Sequence, residues 1–174
     1  QFTDAVSLES REKIKNLHDE LETKARQHGT EHPVILAGLY DLVDLYVEAH
    51  QYYIGERLLK RLQTAYRRTF KSPHLSIAKS LTRLGDILVQ QIKYEESEKY
   101  YLESLKQYTQ LIDIENDLTI EKTYKGLGVS YSQQQMYEES EYYYKKLLIL
   151  YRKSFNEEHP KILETISDLT SVLE

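Results

Sequence analysis

Two histidines four residues apart are the first candidates for chemistry in this sequence of 174 residues. On a continuous helix, His28 and His32 would present two imidazoles on one face, which is a spacing that metal sites use. Gly29 and Pro33 are expected to interrupt the helix there, and the letters HGTEH do not form the HExxH zinc motif. We interpret this segment as a solvated loop and predict no metal site.

Two groups of glutamates have the close spacing of paired catalytic carboxylates. Each group lies at the start of a predicted helix, where anionic side chains interact favourably with the positive end of the helix dipole. Helix capping is therefore the preferred interpretation. The sequence also has no nucleophile elbow, Gly-rich phosphate loop or Cys–His pair, so we predict no enzyme activity and no cofactor. The groups are Glu95, Glu96 and Glu98, and Glu138, Glu139 and Glu141.

The 16 tyrosines are a third candidate, since aromatic rings can stack on nucleic-acid bases. Most of them occupy repeated apolar positions, and the net charge of -5 comes without a basic stripe. We therefore assign the tyrosines to the core and predict no nucleic-acid partner.

The composition restricts the environment of the protein. Charged residues make up 29% of the chain and hydrophobic residues 40%, and no apolar run approaches the roughly 18 residues of a membrane span. There is no cysteine and no basic, apolar leader at the start. These features predict a cytoplasmic protein without a membrane partner. The first residue is Gln and the last lies within a predicted helix, so we expect a fragment of a longer protein.

The elements that position these side chains repeat with a period of 42 to 43 residues. Tyr52, Tyr94 and Tyr137 share one register, and each is followed three residues later by a small residue: Gly55, Ser97 and Ser140. A further position of the register holds His32, His74, Asp117 and His159. Many positions that shift together indicate a stacked repeat array.

Each period contains two amphipathic helical patterns, because apolar residues recur at spacings of three and four. Pro33 and Pro160 suit first helical positions, and Ser72 with Pro73 is interpreted as an N-cap followed by a first position. The predicted helices span 33–49, 53–70, 74–91, 95–113, 118–134 and 138–155, with terminal helices at 8–27 and 160–174.

These helices predict an all-α protein with one array over 1–174 and about eight helices. Full repeats are expected at 33–70, 75–113 and 118–155, and half repeats at 8–27 and 160–174. Gly85 and Gly128 lie in mid-helix, where glycine costs roughly 1 kcal/mol relative to alanine. Small residues at matching sites predict that the backbones of the two helices of a repeat approach closely there.

The motif combines a first helix of the form large-x-x-Leu-small-x-x-large with a second helix of the form Tyr-x-x-small. It resembles the tetratricopeptide repeat. The long period, together with Glu31-His32-Pro33 and Glu158-His159-Pro160, resembles the repeats of kinesin light chains. The motif residues are Leu39, Leu42, Val43 and Tyr46 with Tyr52 and Gly55; Leu81, Leu84, Gly85 and Leu88 with Tyr94 and Ser97; and Tyr124, Leu127, Gly128 and Tyr131 with Tyr137 and Ser140.

The resemblance implies a right-handed α-solenoid of stacked antiparallel helix pairs, whose first helices line a concave face that binds a peptide. Along the chain this face changes from acidic to basic, so an extended ligand is expected to place its acidic part near the lysines. The implied binding residues are Tyr40, Asp41, Asp44, Glu48, Lys79, Thr82, Arg83, Asp86, Gln90, Lys122, Lys125, Val129 and Gln133.

The expected function is therefore a protein-interaction module with an adaptor or scaffold role, which binds a peptide or a partner helix in its groove. A different class stays open: a structural spacer, or a self-association or regulatory segment of a larger signalling or enzyme polypeptide. In that case the terminal helices would stack on neighbouring repeats or on a second copy.

Overall fold

A computed structural model describes residues 7–113 and 116–173 of the chain. These residues form eight α-helices and one short 3-10 turn, Leu118–Ile120, and they contain no strand. The prediction of an all-α fold with about eight helices is confirmed. The helices are α1 Leu8–His28, α2 Pro33–Glu48, α3 Tyr52–Thr69, α4 Leu75–Gln90, α5 Tyr94–Tyr108, α6 Glu121–Gln133, α7 Tyr137–Ser154 and α8 Pro160–Leu173.

The chain divides into two compact units, Gln1–Ser72 and Pro73–Glu174. In the first unit, α2 packs against both α1 and α3. In the second unit, each of the helices α4 to α8 packs against its neighbour in sequence, and α4 also contacts α6. One continuous array over the whole chain stays a prediction.

The predicted helix 95–113 extends too far, because α5 ends at Tyr108. Beyond it, the side chains of Thr109 and Gln110 both donate to the carbonyl oxygen of Lys106, at 2.9 and 3.0 Å. Such side-chain bonds offer the backbone an alternative to the helical ladder. The next repeat begins with the 3-10 turn at Leu118, so its α-helix starts only at Glu121.

The repeated histidines are helix N-caps. The Nδ1 atoms of His32, His74 and His159 each accept a hydrogen bond from the backbone N–H two residues later, at 3.4, 3.1 and 3.2 Å. The Asp117 carboxylate does the same for the N–H of Thr119, at 2.8 Å. A side-chain acceptor at the N-cap satisfies one of the unpaired donors of the first turn.

The observed helix starts contradict one prediction and confirm two others. The interpretation of Ser72 as N-cap with Pro73 in first position was wrong, because His74 caps α4 and the helix begins at Leu75. Pro33 and Pro160 are the first residues of α2 and α8, as predicted.

The turn between the two helices of each repeat also recurs, and it places a residue other than glycine in the left-handed region. The φ angles are 56° at His50, 61° at Ile92 and 61° at Gln135. In each turn the following N–H donates to a carbonyl five residues earlier, which is the long-range bond of a Schellman motif. These bonds join Gln51 to Tyr46, Lys93 to Leu88 and Met136 to Tyr131, at 2.8, 2.9 and 2.9 Å.

Ile92→Gly is expected to raise the stability of the protein by about 1 kcal/mol, because a β-branched residue is disfavoured at positive φ and this side chain is 74% exposed. Thermal unfolding followed by circular dichroism measures the effect. The control is Gln90→Gly, at an exposed helical site, which should lower the melting temperature. A lower melting temperature for Ile92→Gly would contradict the argument.

The mid-helix glycines are closely packed, but their nearest neighbour is a tyrosine ring and not, as predicted, the backbone of the partner helix. A Cβ atom on Gly85 would lie 2.6 Å from the ring of Tyr101, and one on Gly128 would lie 2.9 Å from the ring of Tyr144. The Tyr101 ring also faces Gly126 on α6. It therefore fills a space between α4 and α6 that a side chain at either Gly85 or Gly126 would otherwise occupy. Tyr101 is only 1% exposed.

Gly128→Leu is expected to destabilise the protein by about 1–3 kcal/mol, because the new side chain would have to displace the ring of Tyr144. Chemical denaturation measures the free energy of unfolding. The matched control is Gln133→Leu, which adds a leucine to the exposed side of the same helix. Equal stability of both variants would remove the close-packing argument.

Candidate functional site

The residues implied as a binding face lie on the first helices of the repeats, and each unit is considered by itself. In the first unit, α2 carries Asp41 and Glu48 exposed, with Tyr40 and Asp44 half-buried. This strip is acidic.

In the second unit, the candidate residues of α4 and α6 form one surface, because these two helices contact each other directly. On α4, Lys79, Arg83, Asp86 and Gln90 are separated by four, three and four residues. On α6, Lys122, Lys125, Val129 and Gln133 are separated by three, four and four. Each set therefore lies on one face of its helix. Four of the residues are exposed: Lys79, Gln90, Lys122 and Gln133. The α4–α6 wall comprises Lys79, Arg83, Asp86, Gln90, Lys122, Lys125, Val129 and Gln133.

Thr82, the remaining candidate, differs from the others because it lies inside the helix layer. It is 5% exposed, and its hydroxyl lies 2.7 Å from the Ser104 hydroxyl and 2.8 Å from the Thr123 hydroxyl. Ser104 in turn donates to the carbonyl oxygen of Ala78 at 2.8 Å. Thr82 therefore joins α4, α5 and α6, and it positions the wall from beneath.

The charges on the wall are predominantly basic. Asp86 accepts a hydrogen bond of 2.7 Å from the Tyr101 hydroxyl, and Arg83 lies 3.9 Å from the same carboxylate. Burial, with the neighbouring Asp86 charge, raises the pKa of Tyr101, so the phenol stays protonated as the donor. Lys125 pairs with Glu164 at 2.6 Å. A ligand would therefore meet the exposed Lys79 and Lys122, whereas the charge of Lys125 is offset by the exposed carboxylate of Glu164.

Other groups that resemble catalytic or metal sites have structural contacts. Glu98 accepts from the Tyr131 hydroxyl and from the Gln134 amide, both at 3.2 Å, so it links α5 to α6. Among the described residues, the one grouping with metal-ligand atoms within 4.8 Å of one another is His18, Asp19 and Glu22, all exposed on α1. Exposed acidic groups of this kind are common without a metal.

Within residues 7–113 and 116–173, no helix combines the length and the apolar character needed to cross a bilayer.

Thr82→Val is expected to cost about 1–3 kcal/mol of stability, because it leaves the buried Ser104 and Thr123 hydroxyls with one partner fewer. Thr123→Val should have a similar cost. The double variant should lose less than the sum, since both changes break one shared bond. Urea denaturation of the four proteins tests this, with Thr30→Val, at an exposed turn position, as control. Strictly additive losses would show that the hydroxyls do not interact.

Sequence reasoning did not find the hydroxyl cluster or the histidine caps. The sequence did contain a sign of these caps, because a histidine or aspartate recurs at the position directly before the first helix of each repeat. The cluster had a weaker signal: Thr82 and Thr123 lie 41 residues apart, one short of the repeat step, and small polar residues in apolar stripes attract little notice.

Comparison with known proteins agrees with this architecture. A tetratricopeptide repeat model matches residues 77–112 and 122–161. The first full repeat lies outside these ranges, so its assignment rests on register and fold. No curated protein matches the chain in sequence.

The solved structures that are similar in fold include the following three. Two are of a putative kinesin light chain from Podosopora anserina with nearly identical TPR-like repeats, one of them a variant with a single substitution. The variant structure has a TM-score of 0.79 and 18% identity, covering 94% of this chain and 76% of that one. The other has a TM-score of 0.78 and 18% identity, covering 94% and 77%.

The third structure is BtubC (BKLC) from P. vanneervenii, with a TM-score of 0.82 and 18% identity, covering 95% of this chain and 65% of that one. Identity at this level shows the fold alone. A tetratricopeptide repeat model therefore matches this chain over residues 77–112 and 122–161, and the all-helical fold is similar to that of solved kinesin light chain repeats.

Proposed function

We propose that this chain is an adaptor or scaffold domain that binds an acidic peptide segment of a partner protein on the α4–α6 wall. Tetratricopeptide repeats are in general protein-interaction modules, and their fold is typically non-catalytic. The observation that carries the proposal is the basic character of this wall, with Lys79 and Lys122 exposed beside Arg83 and Lys125. Basic side chains on one surface attract acidic ligands and increase their association rate.

The rigidity of the wall supports the same function. Beneath it, the Thr82–Ser104–Thr123 cluster and the buried Tyr101 connect α4, α5 and α6. A surface that is ordered before binding loses less conformational entropy when the ligand arrives. In the first unit, the α2 strip of Tyr40, Asp41, Asp44 and Glu48 is proposed to contact basic or polar ligand groups. The domain acts in the cytoplasm without cofactor, metal or catalysis.

The test uses charge reversal of two exposed lysines, Lys79→Glu with Lys122→Glu. Arg83 and Lys125 stay unchanged, because each already lies near a carboxylate of the protein. The probe is a labelled, unstructured peptide in which glutamates alternate with small residues, and fluorescence anisotropy gives its Kd. At low salt the double variant should bind roughly tenfold more weakly and show a smaller salt dependence.

The matched control reverses two exposed lysines on α5, Lys99→Glu with Lys106→Glu, which changes the net charge equally. Equal weakening by both pairs would indicate a general charge effect and would reject the wall as the site. Unchanged affinity of the Lys79→Glu/Lys122→Glu protein would reject it as well.

A second candidate function, self-association, is favoured by α8. One side of this helix buries Ile162, Thr165 and Val172, while Leu163, Ile166 and Leu173 are 56%, 37% and 61% exposed. An apolar stripe at helical spacing favours contact with another helix. Sedimentation velocity should then show dimers that Leu163→Glu/Leu173→Glu abolishes. A monomer at all concentrations would reject this function for the domain.

A further inference from the structure

A groove lies between α1 and α3 in the first unit, with α2 as its floor. Its main cavity has a volume of about 650 Å³, and an adjoining cavity of about 370 Å³ shares His18, Tyr46 and Ile54 with it. The groove exists because α1 and α3 both pack against α2. Its apolar lining includes the half-buried Leu39 and Leu58 and the exposed Ile54, together with the buried Leu36, Leu42 and Leu62.

This groove is separate from the acidic strip of α2. At about 100° per residue, Leu39, Leu42 and Tyr46 project from the side of the helix roughly opposite to Tyr40 and Asp44. A ligand in the groove would therefore leave the strip accessible. The inference does not depend on the function proposed for the α4–α6 wall.

The repeat register provides an internal comparison for the groove. Leu58 corresponds to Tyr100 and Tyr143 in the later repeats, and Tyr46 corresponds to Tyr131. In the second unit, the rings of Tyr143 and Tyr131 stack at 5.7 Å with an angle of 5° between their planes. In the first unit, Leu58 lies at the position that Tyr143 holds in the third repeat. Because leucine is smaller than tyrosine, it leaves open the space that the Tyr143 ring fills in the third repeat.

The groove is bordered by an excess of positive charge. Arg57, Arg61 and Arg68 come from α3, and Arg11 and Lys15 come from α1, whereas its acidic residues are Asp19 and Glu31. Arg68 forms an ion pair with Glu31 at 3.2 Å, which offsets only part of this charge. The chain as a whole carries a net charge of -5, so this concentration of cations is a local feature.

We propose that the α1–α3 groove binds an acidic amphipathic helix of a partner protein. The half-buried Leu39 and Leu58 and the exposed Ile54 offer apolar surface to anchors at helical spacing, and the arginines suit carboxylates on the flanks of such a helix. Ile54 and Arg68 mark the ends of the α3 edge, which is about 21 Å long at 1.5 Å per residue. The edge matches a helix of about 14 residues.

The test uses two synthetic peptides of about 14 residues, labelled and helix-forming, with leucines on one face and either glutamates or lysines on the flanks. Fluorescence anisotropy measures binding to the protein. The acidic peptide should bind, and the lysine peptide should bind at least about tenfold more weakly. Arg57→Glu/Arg61→Glu should weaken the acidic peptide about tenfold, since two favourable charge contacts become repulsive.

Leu58→Tyr tests the cavity without a change of charge. It introduces the residue that the chain itself carries at Tyr100 and Tyr143, so the fold should be retained, and circular dichroism checks this. The filled groove should bind the acidic peptide at least about tenfold more weakly, because the peptide's leucines lose their site.

The control is Lys99→Glu/Lys106→Glu, which makes the same change of net charge as Arg57→Glu/Arg61→Glu at exposed sites of α5 and should leave this affinity unchanged. A loss caused by Leu58→Tyr, which changes no charge, then assigns the peptide to the groove and not to the α4–α6 wall.

Three outcomes would overturn the proposal. The two peptides could bind equally, which would exclude recognition of acidic side chains. Leu58→Tyr could retain full affinity, which would place the peptide outside the groove. Sedimentation could show a dimer of the wild-type protein that Arg57→Glu/Arg61→Glu dissociates, which would assign the groove to a second copy of this chain.

Discussion

The insertion of the Tyr101 ring between two glycines is the packing constraint on which the second unit depends. Gly85 on α4 and Gly126 on α6 have no side chains, and the space they leave is occupied by the ring from α5. Its burial holds three helices in contact, and its hydroxyl reaches Asp86 on the surface. One residue therefore connects the spacing of the helices to the polarity of the proposed binding wall.

The same region shows why polar residues occur inside the repeat. Thr82, Ser104 and Thr123 are buried, yet each hydroxyl has a partner within 2.8 Å. A buried hydroxyl without a partner would cost about 1–3 kcal/mol, so the three side chains stabilise one particular arrangement of the helices. Apolar packing tolerates small shifts between helices, whereas a hydrogen-bonded cluster requires specific distances. The wall above it is consequently well defined.

The repeat made the fold predictable from sequence, since each helix was specified several times by one register. Its failures were local. Ser72 and Pro73 form a good N-cap sequence, but the competing acceptor on His74 starts the helix later. Thr82 was assigned to the surface because the register identifies a face only approximately, and its polar side chain gave no sign of burial. The groove of the first unit could not be predicted from the sequence pattern, because its shape and its charge come from side chains of separate helices that only the fold brings together.

The register separates positions that maintain the fold from positions that are free to vary. Gly85 and Gly128 keep small residues because a ring approaches them in both repeats. The position of Leu58, Tyr100 and Tyr143 is under a weaker constraint, because it lies toward the outside of the helix layer and accepts two side chains of different volume. Leucine there opens a cavity at little cost, since Leu62 and Leu42 beneath it remain buried. New binding surfaces in a repeat protein can therefore arise by substitution at such positions, while the glycine and tyrosine contacts preserve the helical framework.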